Sequence, residues 1–304
     1  MKPVVIIIAG STAVGKTALS IQLAQHFETA VISADSRQCF RELDIGVAKP
    51  SLEEQQQAPH YFINSHSIQE EVNAAVFEQY ALNAAVTIFR DHQAAVMVGG
   101  TGLYIKAFCE GLDAIPAVPD AVRDEVIRQY EQKGLDWLQQ EVQEKDPVFW
   151  AQAEQQNPQR LMRALEVFYA TGQSIETFRT AKKTERPFSV IKIGLELDRQ
   201  QLYNRINTRV DLMMKAGLLE EVKGLLPYRH LNALQTVGYK ELFAYLDGQC
   251  SLEEAIAQLK QNTRHYAKRQ LTWFKRDPAM QWFQPTRIDE ILQHILHQTS
   301  ANPT

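Results

Sequence analysis

Cysteine is scarce in this chain: three in 304 residues (Cys39, Cys109 and Cys250), with no C-x-x-C pair among them. That argues against a disulfide framework and a cysteine-built zinc site, and it suits a reducing compartment. Histidine does not fill the gap, because the eight histidines lack metal-ligand spacing. Long apolar runs are missing too. The N-terminal candidate, Val4-Val5-Ile6-Ile7-Ile8-Ala9, stops at Gly10 with no small-residue cleavage pattern behind it. It is too short for a signal core or a bilayer span, so a cytoplasmic protein with no membrane association is expected. Excess positive charge is also absent. With 32 Lys and Arg against 36 Asp and Glu, the net charge is −4, and any hold on a polyanion must come from a local patch. What remains, 45% hydrophobic and 22% charged, excludes a disordered or fibrous chain and provides for a real core.

The apolar residues are organised as an α/β chain. Residues 4–9 read as a central parallel strand covered on both faces. A glycine-bearing loop follows, then a helix over 17–27 with Leu19, Leu23 and Phe27 four apart. Residues 29–34 and 94–98 read as further strands, the second reached through a helix over 74–89. Strands alternating with helices predict a mostly parallel sheet. Beyond Pro116 and Pro119 the signals over 120–172 are all helical, with Asn157-Pro158 as a helix start and Gly172 as a stop. Ile191, Ile193 and Leu195 mark a return to strand. Two long helices then follow, over 200–226 and 252–275, the second with Ser251 and Glu254 as a capping box. The last dozen residues are expected to be loosely held. The expected fold is α/β, a P-loop-type parallel sheet core flanked by helices (1–112 and 188–304), interrupted by an all-helical insertion domain (113–187).

Gly10-Ser11-Thr12-Ala13-Val14-Gly15-Lys16-Thr17 fits G-x-x-x-x-G-K-[ST], placed between a strand and a helix. Glycines let the backbone wrap phosphate oxygens. The inward N–H groups, the helix dipole and Lys16 supply positive charge, and the Thr17 hydroxyl can ligate Mg²⁺. A diphosphate or triphosphate ligand follows, without saying which. A kinase or NTPase normally holds a second acid at a strand end. The strand over 94–98 instead ends in Gly99-Gly100-Thr101-Gly102, whereas Asp35 does end a strand. Because the carboxyl ends of parallel strands form the ligand crevice, Asp35 should face the loop. It serves as a metal organiser, a general base, or simply a cap.

Several segments together resemble one family, the tRNA dimethylallyltransferases (tRNA isopentenyltransferases). They are Gly10–Thr17, Asp35-Ser36-Arg37-Gln38, Asp44-Ile45-Gly46, Ala48-Lys49-Pro50 and Ala58-Pro59-His60. Further on come Val98 to Tyr104, Asn157-Pro158-Gln159-Arg160, Arg163 to Glu166, Gln235 to Glu241, and Thr263-Arg264 through Lys268-Arg269-Gln270 to Thr272-Trp273-Phe274. They run in family order across roughly residues 4–276. Phe40 stands where an aromatic hydroxyl is common and Val47 where threonine is. The resemblance implies transfer of a dimethylallyl group from dimethylallyl diphosphate to N6 of the adenosine just 3′ of the anticodon in a subset of tRNAs. It further implies Asp35, Thr101 and Arg123 at the reacting region, Gly10–Thr17 as the diphosphate cradle and Mg²⁺ as cofactor. The tRNA contacts it suggests are Asp35, Ser36, Arg37, Gln38, Gln159, Arg160, Leu161, Met162, Arg163, Gln235, Gly238 and Tyr239.

An adenine inside an anticodon loop must leave its stack to be modified, which requires a grip on the surrounding RNA. Arg264, Lys268 and Lys275, with Arg269 and Trp273 beside them, form a basic and aromatic stripe in which no acid occurs over 264–276. The basic connector Arg179, Lys182, Lys183 and Arg186 is expected to help hold the RNA. The competing readings are a P-loop kinase or NTPase, a non-enzymatic RNA-binding module, and an enzyme that prenylates free adenylate, for which the insertion and the basic helix are superfluous. The lack of a D-D-x-x-D motif does not exclude prenyl transfer, because the P-loop can take over its task. Nothing calls for an obligate protein partner, so a monomer is expected.

Overall fold

The computed structural model describes residues 2–180 and 182–301. The chain divides into two compact units, Met1–Cys109 with Glu185–Thr304, and Glu110–Thr184. The first is built on a six-stranded sheet, every pair parallel, in the order β3-β2-β4-β1-β5-β6. The strands are β1 (Val4–Gly10), β2 (Val31–Ser33), β3 (His60–Tyr61), β4 (Ala94–Gly99), β5 (Ser189–Leu195) and β6 (Gln281–Phe283).

β1 is buried along its whole length because the sheet is covered on both faces. Val5, Ile7 and Ala9 enter one apolar cluster, and Val4, Ile6 and Ile8 enter another. This is the period-2 alternation of a strand with two apolar faces. Each fully buried Val or Ile contributes about 1.5–3 kcal/mol, which is why the apolar run places the sheet's centre. β1 sits between β4 and β5, so the chain reverses its direction of strand addition beside it. That is where an open α/β sheet opens a crevice at its carboxyl edge.

The expected long helix over 200–226 is two helices, Arg199–Lys215 and Leu218–Gly224. Gly217 parts them with φ +101°, a conformation an apolar periodicity cannot reveal. The tail corrects a second expectation. Helix Ile288–Ala301 docks through Ile291 and Ile295, both fully buried in the cluster that holds Ile6 and Ile8. Their i, i+4 spacing provides the anchor. Residues 302–304 lie outside those described. The capping box at Ser251 forms, with Glu254 N–H donating to Ser251 Oγ at 3.2 Å and Ser251 N–H to Glu254 Oε2 at 2.8 Å.

The second unit is helical around its own core, in which Val126, Leu138, Val142, Phe149, Leu161 and Leu165 are buried. At its base Thr184 N–H donates to the Glu110 carbonyl at 2.8 Å. Just inside the first unit, the Arg186 guanidinium donates to the carbonyls of Phe108 and Ala107, each at 2.8 Å. No helix among the described residues is long and apolar enough to cross a membrane.

Candidate active site

The loop after β1 turns into helix Lys16–His26 at Gly15, whose φ of +113° excludes most side-chain-bearing residues. No side chain caps this helix, so its first N–H groups remain for an anion. Lys16 folds back over the loop, its Nζ donating to the carbonyls of Gly10 (3.1 Å) and Ser11 (2.8 Å). Burial pushes the Lys16 ammonium down to about 8, opposed by the charge of Asp35 and reinforced by Arg209. Helix Arg199–Lys215 adds two guanidinium groups one turn apart. Arg205 Nη1 donates to the Val14 carbonyl at 3.3 Å, and Arg209 Nη1 to Thr12 Oγ1 at 3.4 Å.

β2, β4 and β1 are neighbours, so their carboxyl ends deliver Asp35, Thr101 and the loop to one edge. Asp35 Oδ1 accepts from the N–H groups of Arg37 (2.9 Å) and Gln38 (3.3 Å). The capping role open to this aspartate is therefore real, but it uses one oxygen. Oδ2 has no hydrogen-bond partner among the described residues. Thr101 Oγ1 accepts from Ser36 N–H at 3.1 Å, which leaves its own O–H proton to donate. The Gln38 amide is fixed by donating to the carbonyls of Val47 (3.3 Å) and Ala48 (3.0 Å). That turn is held in turn by the Glu221 carboxylate, which accepts from Ile45 N–H (2.7 Å), Gly46 N–H (3.1 Å) and the Tyr239 hydroxyl (2.6 Å).

Lys16, Thr17, Asp35, Arg37, Arg209 and Tyr266 line one crevice of about 560 Å³, within the range of small-molecule sites. His60 lines it as well. Its Nδ1 lies 2.7 Å from the Ala58 carbonyl, and its buried Nε2 has no partner. Burial lowers its pKa, so the neutral ring presents Nε2 as an acceptor. Among the described residues there is no cluster of three or more His, Cys, Asp or Glu able to hold a metal ion.

The other expected residues fall into three groups. On helix Leu252–Phe274 and its cap, Lys268, Arg269, Trp273 and Lys275 are exposed. Arg264 is half-buried, donating to Asn207 Oδ1 at 2.8 Å and lying over the Tyr203 ring. Lys275 pairs with Glu196 at 3.1 Å. On the second unit, Gln159 and Arg160 are exposed, Met162 and Arg163 are half-buried, and Arg123 lies half-buried on helix Asp120–Lys145. Arg160 pairs with Glu154 and Arg163 with Glu166, each at 3.1 Å.

Two expected contacts are corrected. Leu161 is fully buried in the core of the second unit and Tyr239 in that of the first, so neither side chain is offered to an RNA. Gly238 is buried, and exposed Gln235 donates to the Arg229 carbonyl at 2.7 Å. In the connector, Arg179 pairs with Glu176, Lys183 with Glu110 and Arg186 with Glu78, which consumes most of its charge.

Sequence reasoning missed Arg205, Arg209, Glu221 and the role of Gln270. The arginines were visible as an i, i+4 pair. Gln270 was visible as a polar residue on the face of Ala267 and Phe274. Glu221 gives no local signal, because its partners are remote in sequence.

Comparison with known proteins follows the same lines. The model of a family described as IPP transferase matches residues 38–277. A tRNA dimethylallyltransferase from Cytophaga hutchinsonii is 49% identical over 291 residues, covering 96% of each chain. One from Christiangramia forsetii is 50% identical over 277 residues, covering 91% of this chain and 92% of its own. Among solved structures, the tRNA isopentenylpyrophosphate transferase from Bacillus halodurans is 35% identical, with a TM-score of 0.73 and coverage of 99% of this chain and 98% of its own. A eukaryotic dimethylallyltransferase, solved in snapshots of its action on tRNA, is 30% identical, with a TM-score of 0.75 and coverage of 94% of this chain and 75% of its own. With a family match over most of its length and near-complete relatives at this identity, the chain belongs to the IPP transferase family.

Proposed function

We propose that this protein, acting as a monomer, transfers a dimethylallyl group from dimethylallyl diphosphate to N6 of the adenosine 3′-adjacent to the anticodon in a subset of tRNAs, releasing diphosphate. The observation that carries the reading is the shared crevice. It sets a phosphate-binding loop opposite an aspartate with one unengaged carboxylate oxygen.

The allylic C–O bond breaks readily once charge developing on the departing diphosphate is stabilised. The N–H groups at the start of helix Lys16–His26, with Lys16 and Arg209, are aimed at that charge. As the N6–C bond forms, the exocyclic amine becomes acidic, and Asp35 Oδ2 takes its proton. Thr101 holds the backbone at Ser36 and keeps a hydroxyl proton for a ligand oxygen or nitrogen. The residues also suit Mg²⁺: the Thr17 hydroxyl, at the crevice wall, is a hard oxygen donor free of hydrogen bonds among the described residues. Held there beside the diphosphate, Mg²⁺ would supply further neutralisation of the leaving group. Gln159, Arg160 and Arg163 are assigned to the RNA, together with Arg264, Lys268, Arg269, Trp273 and Lys275, and Arg123 to the reacting region.

The test is to incubate the protein with labelled dimethylallyl diphosphate, Mg²⁺ and either bulk tRNA or AMP, with a parallel ATP arm. Label in tRNA is expected. Label in AMP alone selects the adenylate reading, and ATP turnover without label transfer selects the kinase reading. Neutralising Arg264 and Lys268 together is expected to weaken tRNA binding and to lower the slope of log K against log salt by roughly 0.7–0.9 for each phosphate no longer neutralised. An unchanged slope removes that helix from the RNA footprint.

A further inference from the structure

We propose that Gln270 is a positioning residue for the transfer, its side-chain amide setting the separation between the diphosphate loop and the loop that carries Thr101. This rests on the function proposed above and assigns a role that neither the phosphate-loop pattern nor the general base requires.

Gln270 projects from the inward face of helix Leu252–Phe274 between buried Ala267 and Phe274 and is itself 6% exposed. A polar group there carries a desolvation cost unless both its ends are bonded. Both are. Oε1 accepts from Thr12 N–H at 2.8 Å, and Nε2 donates to the Gly100 carbonyl at 3.0 Å. The partners dictate the amide's orientation, since an N–H needs the oxygen and a carbonyl needs the NH₂. A carboxylate lacks the donor, and an ammonium or guanidinium lacks the acceptor.

The fit at the second loop has no slack. A Cβ on Gly100 would lie 2.1 Å from Gln270 Nε2. About one turn on, Trp273 fills the space beside Gly102, where a Cβ would lie 2.0 Å from the indole Nε1. One helix therefore seats the 99–102 loop at two successive turns. That loop passes the constraint to the base: Thr101 N–H donates to the Ala34 carbonyl at 3.2 Å, and Thr101 Oγ1 accepts from Ser36 N–H at 3.1 Å. On its other side the same amide holds Thr12 in the loop that grips the leaving group. A single side chain thus spans leaving-group cradle and base, and their mutual placement is what the displacement depends on.

The experiment is steady-state kinetics of the full chain with dimethylallyl diphosphate and an anticodon stem–loop RNA that the wild type modifies. Gln270→Met keeps the length and removes both bonds. Gln270→Glu keeps the acceptor for Thr12 and sets a carboxylate oxygen against the Gly100 carbonyl. In both, kcat is expected to fall about 10–100-fold, as for a misplacement near 1 Å, with KM for the RNA within about threefold of wild type. A wild-type kcat in either folded variant overturns the proposal, as does a defect carried by KM alone. Should Gln270→Met fail to fold, the near-isosteric Gln270→Glu decides by the same criteria. The two readings fail separately: a wild type that labels no RNA defeats the proposed function, whereas a working wild type with indifferent variants defeats only the role of Gln270.

Discussion

Exchanging Asp35 for asparagine is expected to lower turnover by about 10²–10⁴-fold, the usual worth of a positioned base, while diphosphate still binds. Asparagine suits the test because of what Asp35 does besides. Its Oδ1 accepts the N–H groups of Arg37 and Gln38, and an amide oxygen preserves that turn, whereas alanine would remove the turn and the base together. What asparagine cannot do is take the N6 proton. Single-turnover label transfer gives the fall in chemistry, and calorimetry with diphosphate gives the binding. If turnover stays near wild type, Asp35 serves only as the cap of its turn and the proton goes elsewhere.

The second large effect is at Lys16. Replacing it with methionine removes the charge nearest the loop carbonyls and is expected to cost about 10²–10³ in kcat, as for loss of one preorganised donor to a developing anion, with weaker donor binding as well. The wild type carries a pH signature of the same group. Burial holds its ammonium at about 8 in the free protein, and a bound diphosphate favours the charged form, raising that pKa. The sign follows: affinity attributable to Lys16 is full below about 8 and declines as pH rises past it. Binding near that pH takes up protons, which calorimetry in buffers of different ionisation heat measures. Lys16→Arg should abolish the uptake, because a guanidinium remains charged throughout.

Much of the site was legible because its parts are local. A strand, a glycine-bearing turn and a helix announce the phosphate-loop pattern within fourteen consecutive positions (Val4–Thr17), and Asp35 was placed by the rule that parallel strands end on one edge. The unread parts depend on distance in the chain. β3 and β6 have two and three residues, too few for a period to appear, and they exist because a neighbouring strand offers hydrogen bonds. Tyr239 belongs to a matching segment, yet its hydroxyl is spent on Glu221 inside the core. Leu161 directly follows exposed Gln159 and Arg160 in sequence, but the helical period turns it inward. The Gln270 bridge joins residues 258 positions apart, and no window along the chain contains both ends.

The stitched neck where the chain leaves and re-enters the sheet unit has its own bearing on modularity. Thr184 and Glu110 are bonded on one side of the joint, and Arg186 with Phe108 and Ala107 on the other. Closing a ring costs entropy that depends on how far apart its ends must be brought, and only weakly on the length between them. With the ends already fastened, the segment from Glu110 to Thr184 can lengthen, shorten or change charge without any strand of the sheet having to be re-laid.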